Sequence, residues 1–274
     1  MAVLDFGPVN RACDLLFLHA NGFNALTYRR VLAPLADRYR ILAADQRGHG
    51  ATTLPAVTEG RTAWTDFRDD FLVLLEILDV RDVVLAGHSM GGASCLGAAA
   101  RTTERVRRLA LFDPVILSRE FLAVAKVGGL PQPSLADGAR RRRAEFPDRR
   151  AAFETFRKRS AFARWPDDML ADYVEGGFRD LPDGGGVRLA CEPEWEASTY
   201  EAQDNDPWSD FAAVQAPLEI LKAEIGSTCR TDEEEAHLTA SGGVKIETVA
   251  GTTHFLPMER PELITERLAR ALER

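Results

Sequence analysis

A serine between small residues is the part of this sequence best suited to chemistry. Gly87-His88-Ser89-Met90-Gly91 has the form G-x-S-x-G, and it lies between an apolar run at residues 82–86 and a small-residue stretch at 93–100. In a strand–turn–helix, this motif holds the serine on a tight turn with its hydroxyl clear of the sheet. Gly87 and Gly91 suit the two positions where such a turn leaves no room for a side chain. We therefore predict that Ser89 is a nucleophile.

A serine hydroxyl needs a base that removes its proton, and imidazole exchanges a proton near neutral pH. Of the five histidines, His254 directly follows an apolar run at 244–249 and precedes the last amphipathic stretch. This is the place of the base in the chain order serine, acid, histidine. We predict that His254 is the base and that the side chain of His88 points away from the catalytic face.

Acyl transfer builds negative charge on the substrate oxygen, which backbone N–H groups commonly receive. One donor is usually the residue after the nucleophile, here Met90. The loop after the apolar run 15–18 should supply the other, and Asn21 lies in it two residues after His19. We predict that Asn21 and Met90 form the oxyanion hole and that His19 braces its loop.

The bulk composition limits the function classes. The chain has 274 residues, 45% of them hydrophobic and 28% charged, with a formal net charge of −8, which disfavours nucleic acid as a partner. Four scattered cysteines form no C-x-x-C pair, so neither zinc nor redox chemistry is indicated. We expect no metal, no cofactor, no signal peptide and no membrane span, and a cytoplasmic protein with reduced thiols.

Short apolar runs alternate with helical patterns in two parts of the chain, residues 1–114 and 211–274. This alternation predicts an α/β core domain with a mostly parallel sheet and helices on both faces. Right-handed crossovers bring the carboxyl ends of all parallel strands to one edge, where sites form. The residues singled out above follow predicted strands, so we expect them to converge there.

Residues 115–210 lack the strand pattern, and we predict that they form a mostly helical cap inserted over the site. Aromatic residues of this segment are candidates for an apolar substrate pocket, weakly represented by Phe121, Phe153 and Trp165. The run Arg140-Arg141-Arg142-Arg143 would suit an anion gate, but a solvated helix face is the preferred interpretation.

With these residues placed, the chain resembles the α/β-hydrolases, and in particular their capped, esterase-like serine members. The resemblance covers about residues 15–113 and 215–274. It is carried in the correct order by the oxyanion-type loop H-A-N-G-F at 19–23, D-Q-R-G-H-G at 45–50, G-H-S-M-G-G at 87–92 and G-T-T-H-F at 251–255. Ala20 stands where the family usually has glycine. The N-terminal hairpin is shortened, so we expect fewer than eight strands in the sheet.

The resemblance leaves the acid of the triad open. The slot of the family's usual aspartate falls on Gly226 in this sequence. Some members take the acid from the end of the strand that follows the helix after the nucleophile, which implies Asp113 here. Glu224, near the usual slot, is the alternative.

A serine at the nucleophile position of this turn implies acyl chemistry, whereas similar dehalogenases and epoxide hydrolases have aspartate there. The expected function is hydrolysis of carboxylic esters of small to medium acyl groups through an acyl-enzyme. Hydrolysis of a lactone or of a carbon–carbon bond could use the same side chains, and a small-molecule sensor of this fold stays a third possibility. The sequence determines neither the natural substrate nor the oligomeric state.

Overall fold

A twisted sheet flanked by helices forms the centre of the molecule, in a computed structural model that describes residues 1–126, 134–182, 184–232, 234–240 and 242–273. The described residues contain these strands: β1 Val3–Phe6, β2 Leu15–Leu18, β3 Ile41–Ala44, β4 Val83–His88, β5 Val106–Phe112, β6 Glu145–Phe146, β7 Phe178–Asp180, β8 Val187–Leu189, β9 Leu218–Ile225 and β10 Val244–Thr253.

The helices in the described residues are mostly short. They are α1 Arg29–Leu32, α2 Thr65–Ile77, α3 Met90–Ala99, α4 Arg119–Lys126, α5 Leu135–Arg140, α6 Arg149–Arg157, α7 Asp167–Gly177, α8 Pro193–Glu201, α9 Pro207–Ala213, α10 Glu235–Ala240, α11 Leu256–Glu259 and α12 Pro261–Leu272. Three 3-10 turns lie at Ala25–Tyr28, Ala33–Leu35 and Ser160–Phe162.

The central sheet has seven strands in the order β1-β3-β2-β4-β5-β9-β10. Only β1 is antiparallel to its neighbour, and the other five pairs are parallel. Every residue of β2, β3 and β4 is buried, as expected for parallel strands that helices cover on both faces. The predicted fold class is confirmed, and so is the expectation of fewer than eight strands.

Two stretches with a helical spacing of apolar residues fold differently. The amphipathic stretch 64–78 forms one helix, α2, Thr65–Ile77, with its apolar face buried. The helical pattern at 26–38 forms α1 with a 3-10 turn on either side instead of one continuous helix. Pro34 explains the break, because it lacks the N–H that would continue α1.

The predicted cap segment, residues 115–210, contains a small sheet that the sequence did not indicate. Its strands β6, β8 and β7 are antiparallel and only two or three residues long, too short for an alternating pattern to stand out. Helices α4 to α8 make up most of the rest. Residues 127–133 and 183 lie outside the described residues, and the boundaries at 114 and 211 remain a prediction.

The segment 115–210 contacts loops at the carboxyl edge of the central sheet. Trp195 Nε1 donates to the carbonyl of Arg47, after β3, at 3.0 Å. Asn24 Nδ2, in the loop after β2, donates to the carbonyl of Tyr173 at 3.0 Å. The segment therefore covers the edge where the predicted site residues lie.

Neither cross-links nor spanning helices were found in the described residues. All four cysteines carry free thiols. No helix of the described part of the chain combines the length and the apolar character needed to cross a bilayer.

Helix α3 lies against the central strands with glycine at the closest contact. A Cβ atom on Gly91 would stand 2.3 Å from the carbonyl oxygen of Leu18 and 2.6 Å from that of His19. Backbone atoms cannot yield as a side chain can, so the helix needs glycine there. The close approach places the start of α3 beside the loop that follows β2.

We expect Gly91→Ala to lower the free energy of unfolding by about 1–3 kcal/mol, the usual cost of overpacking. Gly138→Ala is the matched control, since Gly138 is helical and a Cβ there meets nothing within 4 Å. That variant should gain about 0.5–1 kcal/mol. Urea unfolding of both variants checks this, and equal stability of the two would contradict the packing argument.

Candidate active site

Ser89 lies on the strained turn between β4 and α3. Its φ of 57° and ψ of −122° fall outside the regions that most residues adopt, at a cost of about 1–3 kcal/mol. The turn is held by Ser89 N–H, which donates to the carbonyl of Phe112 at 3.0 Å, and by Ser89 C=O, which accepts from Val115 N–H at 3.2 Å. The residue is buried, with 6% of its surface exposed.

His254 lies between Ser89 and Asp113. Its Nε2 is 3.0 Å from Ser89 Oγ, and its Nδ1 is 2.6 Å from Asp113 Oδ2. A carboxylate only accepts hydrogen bonds, so Nδ1 carries the ring proton and Nε2 is left to accept the proton of the serine hydroxyl. The structure thus brings these three predicted residues, from three different strand ends, into one line of hydrogen bonds.

The carboxylate of Asp113 is fully buried, with 0% exposed, and is held by several donors. Ala223 N–H donates to Oδ1 at 2.8 Å, Thr228 N–H donates to Oδ2 at 3.0 Å, and the hydroxyl of Ser227 also donates to Oδ1. Burial alone would raise the pKa of this carboxyl. The hydrogen bond and charge of His254, together with these donors, outweigh burial and lower the pKa below its ordinary value.

Glu224, the alternative acid, lies elsewhere. Its Oε2 accepts from the backbone N–H of Gly251 at 2.9 Å and forms no hydrogen bond with His254 in the described structure. Gly226, at the family's usual acid slot, has a φ of +65° and begins the turn that brings Ser227 and Thr228 onto Asp113. The loop that usually supplies the acid here supplies its hydrogen-bond donors.

The turn after β2 leaves one backbone donor for a ligand. Ala20 N–H donates to Tyr28 Oη at 3.2 Å, and Gly22 N–H donates to His49 Nε2 at 3.0 Å. Asn21 lies between Ala20 and Gly22, and within the part of the chain that the structure describes its backbone N–H has no protein acceptor. The Asn21 side chain donates to the carbonyl of Glu196 at 3.1 Å.

Met90 supplies the second predicted donor. It is the first residue of α3, where N–H groups have no acceptor within the helix and the helix dipole favours negative charge. Asn21, Met90, Ser89 and His254 all line the same cavity. The arrangement can therefore receive an oxyanion beside the serine.

Two buried histidines brace the turn that carries Asn21. His19 Nε2 accepts from Gln46 N–H at 2.9 Å, and its Nδ1 donates to the carbonyl of Ala20 at 2.8 Å. His49 Nδ1 donates to the carbonyl of Arg47 at 2.9 Å, so its Nε2 is free to accept from Gly22. Burial lowers the pKa of both imidazoles, which keeps them neutral in these roles.

His88 points away from Ser89 and contacts the backbone of His254. Its Nε2 is 2.8 Å from the His254 carbonyl oxygen, and its Nδ1 is 2.7 Å from Tyr28 Oη. Burial, followed by the charge of His254, lowers the pKa of His88 to about 3. These contacts could not be predicted from the sequence, because Tyr28 belongs to no motif.

A cavity of about 720 Å³ opens beside the serine hydroxyl. Phe121 lines it, as do Phe23, Phe162 and Phe255. The other two aromatic candidates do not. Trp165 is 2% exposed and packs behind Phe23 at a ring distance of 5.5 Å, and Phe153 packs against the same buried cluster.

The arginine run divides between surface and cavity. Arg140 pairs with Glu194 and Glu201 at the surface. Arg142 instead turns inward, pairs with Glu196 and donates to Tyr173 Oη at 2.9 Å, in the cavity wall. The prediction of a solvated helix face is therefore wrong for Arg142. This residue lies beyond the end of α5 at Arg140, and its side chain lines the cavity.

The described residues contain no group of three histidine, cysteine, aspartate or glutamate side chains that could hold a metal ion. The chemistry available in this cavity is that of a hydroxyl, an imidazole, a carboxylate and two backbone N–H groups. Together they can carry out nucleophilic attack, proton transfer and stabilisation of an oxyanion.

Comparisons with known proteins agree with the fold. The chain is 24% identical over 262 residues to a 2-(acetamidomethylene)succinate hydrolase from Mesorhizobium japonicum, covering 94% of this chain and 87% of that protein. The crystal structure of E-2-(acetamidomethylene)succinate hydrolase matches with a TM-score of 0.78 and 22% identity, covering 98% of this chain and 94% of that one.

An enol-lactonase from Burkholderia xenovorans LB400 matches with a TM-score of 0.67 and 20% identity, covering 99% of this chain and 95% of that one. The sequence profile of the Alpha/beta hydrolase family matches residues 15–267, which include the strained serine turn and the histidine loop. The chain therefore belongs to the Alpha/beta hydrolase family.

Proposed function

We propose that this protein is a serine hydrolase that cleaves carboxylic esters of small to medium acyl groups through an acyl-enzyme on Ser89. The observation that carries the proposal is the line of hydrogen bonds from Ser89 Oγ through His254 to Asp113, at 3.0 and 2.6 Å. Two backbone donors and a cavity of about 720 Å³ beside the hydroxyl support it. The segment 115–210 is proposed to act as a cap domain that selects the substrate.

In the first half of the reaction, Ser89 Oγ attacks the ester carbonyl carbon while His254 Nε2 takes the hydroxyl proton. The carbonyl oxygen becomes an oxyanion that accepts hydrogen bonds from the N–H groups of Asn21 and Met90. Asp113 holds the imidazole in the required tautomer and stabilises the imidazolium. His254 then gives its proton to the leaving alkoxide, which departs as an alcohol.

In the second half, a water molecule attacks the acyl-enzyme and His254 Nε2 takes its proton. The second tetrahedral intermediate collapses, Ser89 Oγ leaves and recovers the proton from His254, and the free carboxylic acid is released. The resting state is restored with no other reactant. The sequence of steps needs only one unprotonated imidazole nitrogen facing the hydroxyl, which the hydrogen bond from Nδ1 to Asp113 ensures.

The same groups could open a lactone, in which the acyl and alcohol parts stay joined. The similarity to an enol-lactonase and to a 2-(acetamidomethylene)succinate hydrolase supports hydrolysis as the reaction class and makes lactones part of the substrate panel. The same panel also tests the two alternative functions, hydrolysis of a carbon–carbon bond and ligand sensing without turnover. Cytoplasmic location stays a prediction from the sequence.

We expect native protein to hydrolyse p-nitrophenyl butyrate and to be labelled by a fluorophosphonate probe at Ser89. Ser89→Ala should lose both activities while keeping its melting temperature, because the alanine removes only the nucleophilic oxygen. Ser94→Ala is the matched control, since this second serine lies on α3 and is not in the triad. Tight ligand binding without labelling or turnover would indicate a sensor and contradict the proposal.

The two acids can be separated by kinetics. Asp113→Asn should lower kcat about 10⁴-fold, as the loss of a triad carboxylate does when it leaves the histidine in the wrong tautomer. Glu224→Gln should change kcat by less than about twofold, because in the described part of the chain its carboxylate accepts a hydrogen bond only from the Gly251 backbone. Full activity of Asp113→Asn, with folding verified by circular dichroism, would remove Asp113 from the mechanism.

A further inference from the structure

The charged side chains in the wall of the cavity differ in whether they form ion pairs. Arg142, Arg159, Glu196 and Glu201 line the cavity. Glu196 is paired with Arg142, and Glu201 is paired at 2.6 Å with Arg140, a residue that does not line the cavity. Among the described residues, Arg159 has no carboxylate partner. Its positive charge is therefore available to a ligand, although the four charges of the wall sum to zero.

The contacts of Arg159 leave its hydrogen-bonding edge available. Its guanidinium carbon lies 5.2 Å from the ring centre of Phe156, which is buried. Stacking on an aromatic face uses the flat side of the guanidinium and leaves the N–H groups on its rim for a planar acceptor. An arginine in this state is suited to a bidentate bond with a carboxylate.

Tyr173 adds a neutral donor to the same wall. Its Oη accepts a hydrogen bond from Arg142 Nη2 at 2.9 Å, so its own O–H proton is directed to another acceptor. Burial raises the pKa of this phenol, which keeps the proton in place at neutral pH. Tyr173 and Arg159 both line the cavity, and Tyr173 also belongs to the buried cluster behind it.

We propose that the acyl part of the substrate carries a second, free carboxylate, which Arg159 binds with Tyr173 as an additional donor. The inference rests on the proposed hydrolase function of the same cavity. The substrate class is then the monoesters, or corresponding lactones, of small dicarboxylic acids.

The test compares the mono-p-nitrophenyl ester of adipic acid with its neutral methyl p-nitrophenyl diester. Native protein should have a higher kcat/KM for the monoacid. Arg159→Gln should raise KM for the monoacid about tenfold, leave its kcat within about twofold and leave the neutral diester unchanged, because only a charge-assisted bond is lost.

Arg143→Gln is the matched control. Arg143 also stacks on a phenylalanine, Phe146, at 4.4 Å, and it does not line the cavity. It should change neither substrate. Equal kcat/KM for both esters in native protein, or equal effects of Arg159→Gln on both, would overturn the carboxylate subsite and leave ester hydrolysis standing.

A measurement without turnover separates the two proposals. Glutarate should bind to Ser89→Ala protein in calorimetric titration, and Arg159→Gln in that background should weaken its Kd about tenfold. Binding with this dependence would support the subsite even if no ester is hydrolysed, in which case the proposed function fails alone. Absence of binding together with equal ester kinetics counts against the subsite.

A second inference comes from a buried chain of hydrogen bonds between the two loops that carry Asn21 and His254. Ala20 N–H donates to Tyr28 Oη at 3.2 Å, Tyr28 Oη lies 2.7 Å from His88 Nδ1, and His88 Nε2 lies 2.8 Å from the His254 carbonyl oxygen. Ala20, Tyr28 and His88 are all buried, so water does not replace these partners.

The direction of the chain follows from its last member. A carbonyl oxygen can only accept, so His88 Nε2 carries the ring proton and Nδ1 must accept from the Tyr28 hydroxyl. The oxygen of Tyr28 then has a lone pair for Ala20 N–H. Every donor and acceptor is used once, which fixes the geometry of both loops relative to each other.

We infer that Tyr28 and His88 are positioning residues that keep the oxyanion turn and the His254 loop at their reactive separation. Tyr28→Phe should lower kcat on the order of tenfold to a hundredfold, with KM nearly unchanged, because small displacements of reacting groups are costly. His88→Gln keeps an N–H for the His254 carbonyl and should retain more kcat than His88→Leu, which keeps none.

Tyr39→Phe is the control, since among the described residues the Tyr39 hydroxyl forms a hydrogen bond only with Arg38, at the surface. It should leave kcat unchanged. If His88→Gln and His88→Leu were folded and equally impaired, or if Tyr28→Phe kept native kcat, the positioning role would be wrong. A destabilised but fully active Tyr28→Phe protein would likewise show that this chain of hydrogen bonds contributes only to stability.

Discussion

The hydrogen bond between the Asp113 carboxylate and His254 Nδ1 is the interaction on which the rest of the site depends. It joins the end of β5 to the loop after β10, and it fixes which imidazole nitrogen faces Ser89. A buried carboxylate is costly unless it is fully hydrogen-bonded. Strand β9 meets that need with the backbone N–H of Ala223, and the loop after β9 adds Ser227 and Thr228. Three strand ends are thereby held together by one negative charge.

Neutral imidazoles account for much of the remaining order. His19 and His49 each donate through one ring nitrogen and accept through the other, so both act as fixed bridges between backbone groups. His88 does the same between Tyr28 and His254. Burial keeps these rings unprotonated, which preserves the acceptor that each bridge requires. Three of the chain's five histidines are thus structural parts of a site in which His254 alone faces the serine.

The sequence was sufficient for the features that local patterns specify. The G-x-S-x-G turn, the buried strands and the order of the motifs predicted the parallel sheet and the convergence of Ser89 and His254. Asp113 depended on a resemblance, because an aspartate after a strand is also a common turn residue. The Tyr28–His88 chain and the inward turn of Arg142 could not be predicted, since each depends on which distant groups pack together. The small sheet β6-β8-β7 was missed because strands of two or three residues have no measurable period.

Complete burial of the Asp113 carboxylate means that the charges around this cavity respond differently to salt. Dissolved ions screen exposed charges over about 8 Å at physiological ionic strength, but they have little access to a charge enclosed by protein. Asp113 is enclosed, whereas Arg159 stands at the exposed wall. Added salt should thus weaken the attraction between Arg159 and a charged substrate, while the hydrogen bonds among Ser89, His254 and Asp113 stay unchanged. Varying the ionic strength can therefore distinguish substrate binding from the chemical steps.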